Sequence, residues 1–505
     1  MNLLTALDVA ALAALDGIEL RAGEAEELLS VIASLTDTDE VTERLDGELL
    51  PSPGPRDAGY VPGPDENAYN AFVRRCSVEG SPSGLLAGLT VGLKDNIALA
   101  GVPMTNGSRM SAFTPSHDAV VVERILAAGG RIVGKLNMDD FGAAGLGETS
   151  AFGPPRNPVD PSRSAGGSSG GSGAAVRAGE VDLALAVDQG GSGRIPAAFC
   201  GVVAAKPTHG LVPSFGIVHI DHTIDSVTPI ARNVAGAALL LEAVAGSDWR
   251  DPQWVRGEIV PVAYGAAKDE SVRGLRIGIV DESCDSSICE PAVLEGLARA
   301  AEALAEAGAR VERVSLPIWR DGLAIFLPYI AHLAADMFRS EGRGVGHLGA
   351  IDIESMEAYA RGRRQESVEL AKQVKCWIIA DRYVHEKRHG IPYGRLHNLR
   401  LALRRQVSSA LEQWDLLLTP TLPITAPTLA DSDTPFSEIS GRTAERLPYN
   451  TAPVNLSGHP AVSVPSGADA DGLPTAVQLI AAHFDDFTAF RAAFALERAL
   501  AAFFP

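Results

Sequence analysis

Residues 164–196, SAGGSSGGSGAAVRAGEVDLALAVDQGGSGRIP, carry two glycine-serine clusters about two dozen positions apart. Glycine serves where backbone takes positive φ or comes close to another chain or a ligand, so main chain this dense in glycine, with serines set into it, is shaped for chemistry. A flexible linker of similar composition lacks long apolar flanks. Here AAV and VDLALAV lie between the clusters and IPAAFCGVVAA follows them, so both are built into a folded body. Ser192, in QGGSGR, is the candidate nucleophile.

The surrounding pattern alternates. LAGLTVGLKDN is strand-like, AVVVERILAAG helical, RIVGKLN strand-like, and a helical AGGSSGGSGAAVRAG leads to the strand VDLALAV. The rhythm resumes with LRIGIVDE, the helix EPAVLEGLARAAEALAEAG and the strand RVERVSL; WDLLLTPTLP, AVSVP and PTAVQLIAA add strands before a final helix at 484–501. This predicts an α/β fold with a mixed central β-sheet flanked by helices. Residues 3–47 read as two or three helices, with Leu28, Leu29, Ile32 and Leu35 at helical spacing. The Pro- and Gly-rich LPSPGPRDAGYVPGPDE then reads as a loop. The division is an N-terminal helical extension and linker at 1–60 and a catalytic domain at 61–505. Within the latter a charged, helical lobe at about 320–410 is expected to carry substrate-facing residues.

Composition removes several classes. A chain of 505 residues, 46% hydrophobic and 21% charged, has material for a large core. Its formal charge of -20 argues against nucleic acid, whose phosphates want basic grooves. The N-terminus has no Lys or Arg before Arg21 and so lacks a signal peptide's basic region. No uninterrupted apolar run approaches the roughly 20 residues that span a bilayer, so no membrane partner is expected. Five scattered cysteines suit a reducing, cytoplasmic setting, and Cys284 with Cys289 are too weak a pair for a metal. No metal or cofactor is called for.

A serine hydroxyl is a weak nucleophile and needs a base. Lys94 ends the apolar strand of GLTVGLKDN, which carries its ammonium into or beside the core; burial disfavours the charged form, and a neutral lysine is a base. Histidine is the usual partner. The α/β-hydrolase GxSxG elbow is not matched around Ser192, but His209, His219 and His222 lie downstream, and spacing alone leaves a Ser-His arrangement open.

GGSSGGSGAAVRAG followed by DQGGSGRIPAAFCGVVAAKPTHGLVP resembles the amidase signature family, and Lys94 in VGLKDN matches that family's N-terminal catalytic lysine. KLNMDDFGAAGLGETSAFGPPRNPVDPSRSAGGSSGG, TIDSVTPIARNVAGAALLLEAVAG, WDLLLTPTLP and NTAPVNLSGHPAVSVPSG extend the resemblance over most of residues 65–500, weakly between 320 and 390. It implies the amidase signature fold and a catalytic set of Lys94, Ser168 and Ser192, with a cis peptide bond before Ser168. Lys94 would take a proton from Ser168, and Ser168 one from Ser192, whose oxygen attacks the scissile carbonyl and forms an acyl-enzyme. Main-chain N–H groups of Gln189, Gly190, Gly191 and Ser192 would form the oxyanion hole. Ser169, Ser172, Asp188 and Arg194 would support them.

Many family members read Thr-Asp-Thr-Gly-Gly-Ser-Ile-Arg where this chain has VDQGGSGR. Val187 thus lacks a hydroxyl near the lysine, and Gly193 lacks a branched side chain, which predicts a wider acyl or leaving-group pocket. Gln189 before GGS resembles stand-alone amidases that cleave small amides, anilides or carbamates (urethanes), some of them esters. The second reading is the glutamine-hydrolysing subunit of an aminoacyl-tRNA amidotransferase, close in NMDDF and ETSAFGPPRNP. That subunit usually reads Ser-Ile-Arg-Gln-Pro where this chain has SGRIP, and it lacks a comparable helical extension. The resemblance also implies a homodimer.

Overall fold

The computed structural model describes residues 4–36, 52–251, 253, 259, 262–344, 348–431, 433–444 and 446–505. The chain divides into two compact units, Met1–Pro53 and Gly54–Pro505. In the first, the helices Ala6–Leu15 and Glu24–Thr36 pack on each other. Thr5 caps the earlier one: its side chain accepts from the Asp8 N–H while Asp8 reaches back to the Thr5 N–H. Leu29 and Ile32 are half-buried, whereas Leu28 and Leu35 are exposed. The expected helical reach to residue 47 lies outside the described residues. The boundary falls earlier than residue 60, because the linker's second half is built into the body. Arg56 pairs with Asp118 in a two-pronged contact at 2.6 and 2.8 Å, and Tyr60 bridges to Arg75.

The body is organised by one sheet of eleven strands: β1 (Phe72–Val78), β2 (Thr90–Lys94), β3 (Arg131–Leu136), β4 (Leu183–Asp188), β5 (Val203–Lys206), β6 (Ser226–Ala231), β7 (Arg276–Val280), β8 (Arg310–Val314), β9 (Leu416–Pro420), β10 (Ala461–Ala468) and β11 (Pro474–Ile480). Their spatial order is β1-β3-β2-β4-β6-β5-β10-β11-β9-β7-β8. β3, β2 and β4 run parallel, as do β9, β7 and β8, and antiparallel pairs join the two groups. β4, β5, β6 and β9 are buried along their whole length. Strands covered on both faces read as continuous apolar runs, which is why VDLALAV and LLLTP do not alternate.

Helices cover both faces. Val120–Ala127, Val234–Val244, Pro291–Glu306 and Asp486–Ala499 lie over one core, and Gly170–Arg177 with Arg194–Cys200 over another. The first glycine-serine cluster is therefore helical only from Gly170, and residues 164–169 form the approach to it. The region read as a lobe consists of the helices Gly322–Arg339, Ile353–Gln365, Lys372–Arg388 and Ile391–Gln413. Pro317–Arg339 is the one stretch among the described residues long and apolar enough to cross a membrane; 56% of its 18-residue apolar segment is buried inside the fold, as in a core helix.

Candidate active site

In an open sheet, ligands sit beyond the carboxyl ends of parallel strands, where loops diverge. Lys94 ends β2 and Asp188 ends β4, so both emerge on the same edge. Asn137–Asp139 follow the end of β3 there, and Lys206 ends β5 on that side. The two glycine-serine clusters converge at this edge, where the Ser169 N–H donates to the Ser192 carbonyl at 3.1 Å.

Lys94 is fully buried, and its Nζ lies 2.7 Å from Ser168 Oγ. Burial pushes its ammonium down to about 7, against the opposing pull of Asp139, Asp225 and Asp188. Nζ also donates to the Val187 carbonyl at 3.3 Å, as does Ser169 Oγ at 3.3 Å. Position 187 thus contributes main chain to the lysine, while the Val187 side chain packs in the core. The Gly167–Ser168 peptide bond is cis. Glycine at 167 is required by its surroundings: a Cβ there would stand 2.1 Å from Asp139 Oδ2. Asp139 is itself fixed by N–H donors from Gly147 and Thr149 and by the Thr149 hydroxyl.

Asp188 organises the second cluster. Its carboxylate accepts from the N–H groups of Gly191 (2.8 Å), Gly193 (3.2 Å) and Arg194 (3.2 Å). It also accepts from Arg194 Nε at 2.9 Å, Arg194 Nη2 at 3.0 Å and Asn455 Nδ2 at 3.0 Å. Burial raises the Asp188 carboxyl, but Arg194, Lys206 and Asn455 outweigh it and hold the group well below the usual carboxylate range. The expected oxyanion loop is therefore corrected at one position, since the Gly191 N–H is already given to Asp188. The N–H groups of Gln189, Gly190 and Ser192 donate to no group among the described residues. Gly191 keeps the turn tight, with φ of 127° and only 2.4 Å between an added Cβ and Thr451 Oγ1.

Of the other supporting residues, Arg194 is fully buried and reaches Gln478, Thr451 and Asn455. Ser172 is buried, and its hydroxyl has no hydrogen-bond partner among the described residues, Lys94, Ser168 and Ser192 included. The Ser-His arrangement finds no geometry. His209 Nε2 meets the His222 carbonyl, His219 lies between Asp225 and the Ser214 carbonyl, and His222 Nε2 meets the Arg343 carbonyl. Gly193 does not widen a pocket. A Cβ there would meet Thr228 Cγ2 at 2.6 Å, so the position faces β6 and the Asp188 side chain.

Ser192 opens instead into a cavity of about 220 Å³. Its lining includes Gly142–Gly145, Gln189 and Gly190, the apolar Ile220, Phe326, Trp377 and Leu447, and the polar Gln373 and Ser440. Among the described residues no charged side chain lines it. Phe326 presses on the turn, 2.2 Å from where a Cβ on Gly190 would sit. The wall residues escaped sequence reading because apolar positions on a helix look the same whether they face a core or a cavity. Asp139 did leave a signal, an acidic pair following an apolar strand.

Fold and site together define an amide hydrolase of the amidase signature type. The family model described as Amidase matches residues 67–490, and the chain belongs to that family. It is 39% identical over 432 residues to a glutamyl-tRNA(Gln) amidotransferase subunit of Haloarcula marismortui, a match covering 85% of this chain and 99% of that one. It is also 39% identical over 448 residues to an enantioselective amidase of Rhodococcus rhodochrous, covering 88% of this chain and 86% of that protein. Among solved structures, the corresponding glutamyl-tRNA(Gln) amidotransferase subunit from Thermotoga maritima superposes with a TM-score of 0.70 at 32% identity, over 86% of this chain and 88% of that one.

Proposed function

We propose that this enzyme hydrolyses the C–N bond of small uncharged amides through an acyl-enzyme on Ser192. Lys94, neutral in half the molecules near its value of about 7, accepts the Ser168 proton as Ser168 accepts that of Ser192. The Ser192 oxygen attacks the carbonyl carbon. The N–H groups of Gln189, Gly190 and Ser192 receive the oxyanion as charge develops on it. Ser168 returns a proton to the leaving nitrogen, the C–N bond breaks, and the amine departs. Water, losing its proton to the same relay, attacks the acyl carbon and frees Ser192.

The observation that carries the substrate class is the cavity next to Ser192, lined by aromatic and aliphatic side chains and by no charged one among the described residues. An apolar group gains about 25 cal/mol per Å² on entering such a site. Free glutamine carries an ammonium and a carboxylate, and burying either without a partner is strongly unfavourable. Anilides, aryl carbamates and esters present the same carbonyl and fit the same chemistry. The partner is thus a small molecule.

A second reading is the one that the relatives favour: those at 39% identity are mostly glutamyl-tRNA(Gln) amidotransferase subunits, alongside the amidase. Under it, Ser192 would release ammonia from glutamine for a companion protein. A panel of benzamide, an aliphatic amide, an anilide, an aryl carbamate and glutamine separates the two. Our reading expects kcat/KM for benzamide or the anilide to exceed that for glutamine by at least about 100-fold. Glutamine turnover that appears only with a companion protein would establish the second reading instead.

A further inference from the structure

Two of the segments that line the cavity, Gly142–Gly145 and the start of the helix Lys372–Arg388 with Gln373, Cys376 and Trp377, are far apart in sequence. One hydrogen bond joins them. The residue that caps the helix is Ala371, and alanine has no side chain with which to cap. In a capping box a Glu or Gln three residues on reaches back to the capping residue's own N–H; that position here is Val374. The task falls to Asp140, 231 positions earlier, whose Oδ2 accepts from the Ala371 N–H at 2.6 Å. Asp140 is 1% exposed. Its neighbours reach both ways: the Asp139 N–H donates to the Ser168 carbonyl at 3.1 Å, and Phe141 shares a buried apolar cluster with Leu370 and Val374. Apolar burial is non-directional, whereas a short hydrogen bond to main chain fixes position and angle.

Building on the function proposed above, we infer that Asp140 is a positioning residue: it holds the helix Lys372–Arg388 against the segment that follows it and so sets the fit of the cavity to the aryl part of the substrate. Asp140 touches no reacting atom. It acts through the Ala371 N–H on the first two turns of the helix, which carry Gln373, Cys376 and Trp377. Without the acceptor that N–H is an orphan at a helix end, and Trp377 loses the tie that fixes it relative to the loop beside Ser168. An aryl group depends on close apolar contact with such a side chain, whereas a short aliphatic amide covers less of the lining. Lys94, Ser168 and Ser192 keep their own contacts, so the loss falls on substrate binding rather than on chemistry. Burial pushes the Asp140 carboxyl up to about 7, against the pull of the Ala371 N–H and Lys375. The ionised form, the neutral form and an asparagine amide all present an oxygen to the N–H.

The test measures kcat and KM separately for benzamide and propionamide. The enzymes are the wild type, Asp140→Ala, Asp140→Asn, Ala371→Pro and the double variant Asp140→Ala with Ala371→Pro. Proline deletes the N–H donor and suits the φ of -59° at Ala371, and the ψ of 137° at Leu370 suits a residue before proline. In Asp140→Ala and in Ala371→Pro the KM for benzamide is expected to rise about tenfold relative to that for propionamide, with kcat changed by less than about threefold. Asp140→Asn should stay within about threefold of the wild type. The double variant should be no worse than the single ones, because all of them remove the same bond. General damage to the fold would instead lower kcat for both amides and leave the KM ratio alone. A KM ratio unchanged in both single variants, an Asp140→Asn variant as impaired as Asp140→Ala, or losses that multiply in the double variant would overturn the inference alone. A wild type that hydrolyses neither amide would overturn the proposed function and this inference together.

Discussion

Lys94 ionisation should set the pH dependence of acylation. Its ordinary value is 10.5, and burial brings it to about 7. At neutral pH an ordinary lysine is neutral in roughly one molecule in a few thousand, whereas Lys94 is neutral in about half. The environment therefore enlarges the reactive fraction by about three powers of ten. Single-turnover release of the amine from an uncharged substrate, followed between about pH 5 and 9, is expected to rise tenfold per pH unit up to about 7 and then level. Lys94→Met keeps the chain's length without the base; it should lose about 10²- to 10⁴-fold in acylation and lose the pH dependence with it. Folding stability also rises with pH, over a higher window. Because the folded value lies below the unfolded one, the unfolded chain binds the extra proton between about 7 and 10.5, and stability rises with pH across that window. At pH 7 Lys94→Met should thus be more stable than the wild type by on the order of a few kcal/mol. A flat wild-type profile, or normal acylation by Lys94→Met at pH 7, would refute the lysine's role.

Other substitutions test the surroundings. Arg194→Met leaves the buried Asp188 carboxylate without its cation and should destabilise the body by about 3–5 kcal/mol, read as a lower denaturation midpoint; an unchanged midpoint contradicts this. Gly193→Ile meets Thr228 rather than substrate, so it should depress turnover of small and bulky amides alike, and a loss confined to bulky ones would restore the pocket role. Trp377→Ala should lower kcat/KM for aryl amides by about tenfold or more relative to short aliphatic ones, and an equal effect on both would argue against its lining role. His117 sits between Asp352 and Glu354 at 3.5 and 3.6 Å, and these carboxylates raise its imidazole above 6.5 despite burial. Its contribution is full below 6.5 and fades as pH rises through the raised value. The stability difference between wild type and His117→Gln should therefore be larger near pH 5.5 than near 8.5; a difference that grows with pH would reverse the sign.

The strands that sequence reveals are those whose apolar runs have clean ends, such as VDLALAV and LLLTP. Three went unseen. β1 has arginines at 74 and 75 and irregular register against β3, which breaks its alternation. β5 is four residues long and follows directly on a helix. β6 contains Pro229, a residue that argues against a central strand, yet it lies buried between β4 and β5. Within the site, local chemistry was legible: lysine ends an apolar strand, serines sit in glycine-rich turns, and Asp188 and Arg194 flank the second cluster. Longer-range geometry was not. Gly193 adjoins Ser192 in sequence but turns toward Thr228, and the Gly191 N–H, nominally an oxyanion donor, is held by Asp188. Phe326, Trp377 and Leu447 come together only once distant helices and loops close over the sheet edge.

The central claim is a covalent acyl group on Ser192 formed through Lys94. Quenching the enzyme during turnover of a slowly deacylating aryl carbamate, followed by intact-mass measurement and peptide mapping, tests it directly. One acyl adduct should appear on the peptide carrying Ser192, vanish in Ser192→Ala, and form far more slowly in Lys94→Met. An adduct on Ser168, Cys376 or a histidine, or turnover that persists in Ser192→Ala, would contradict the account.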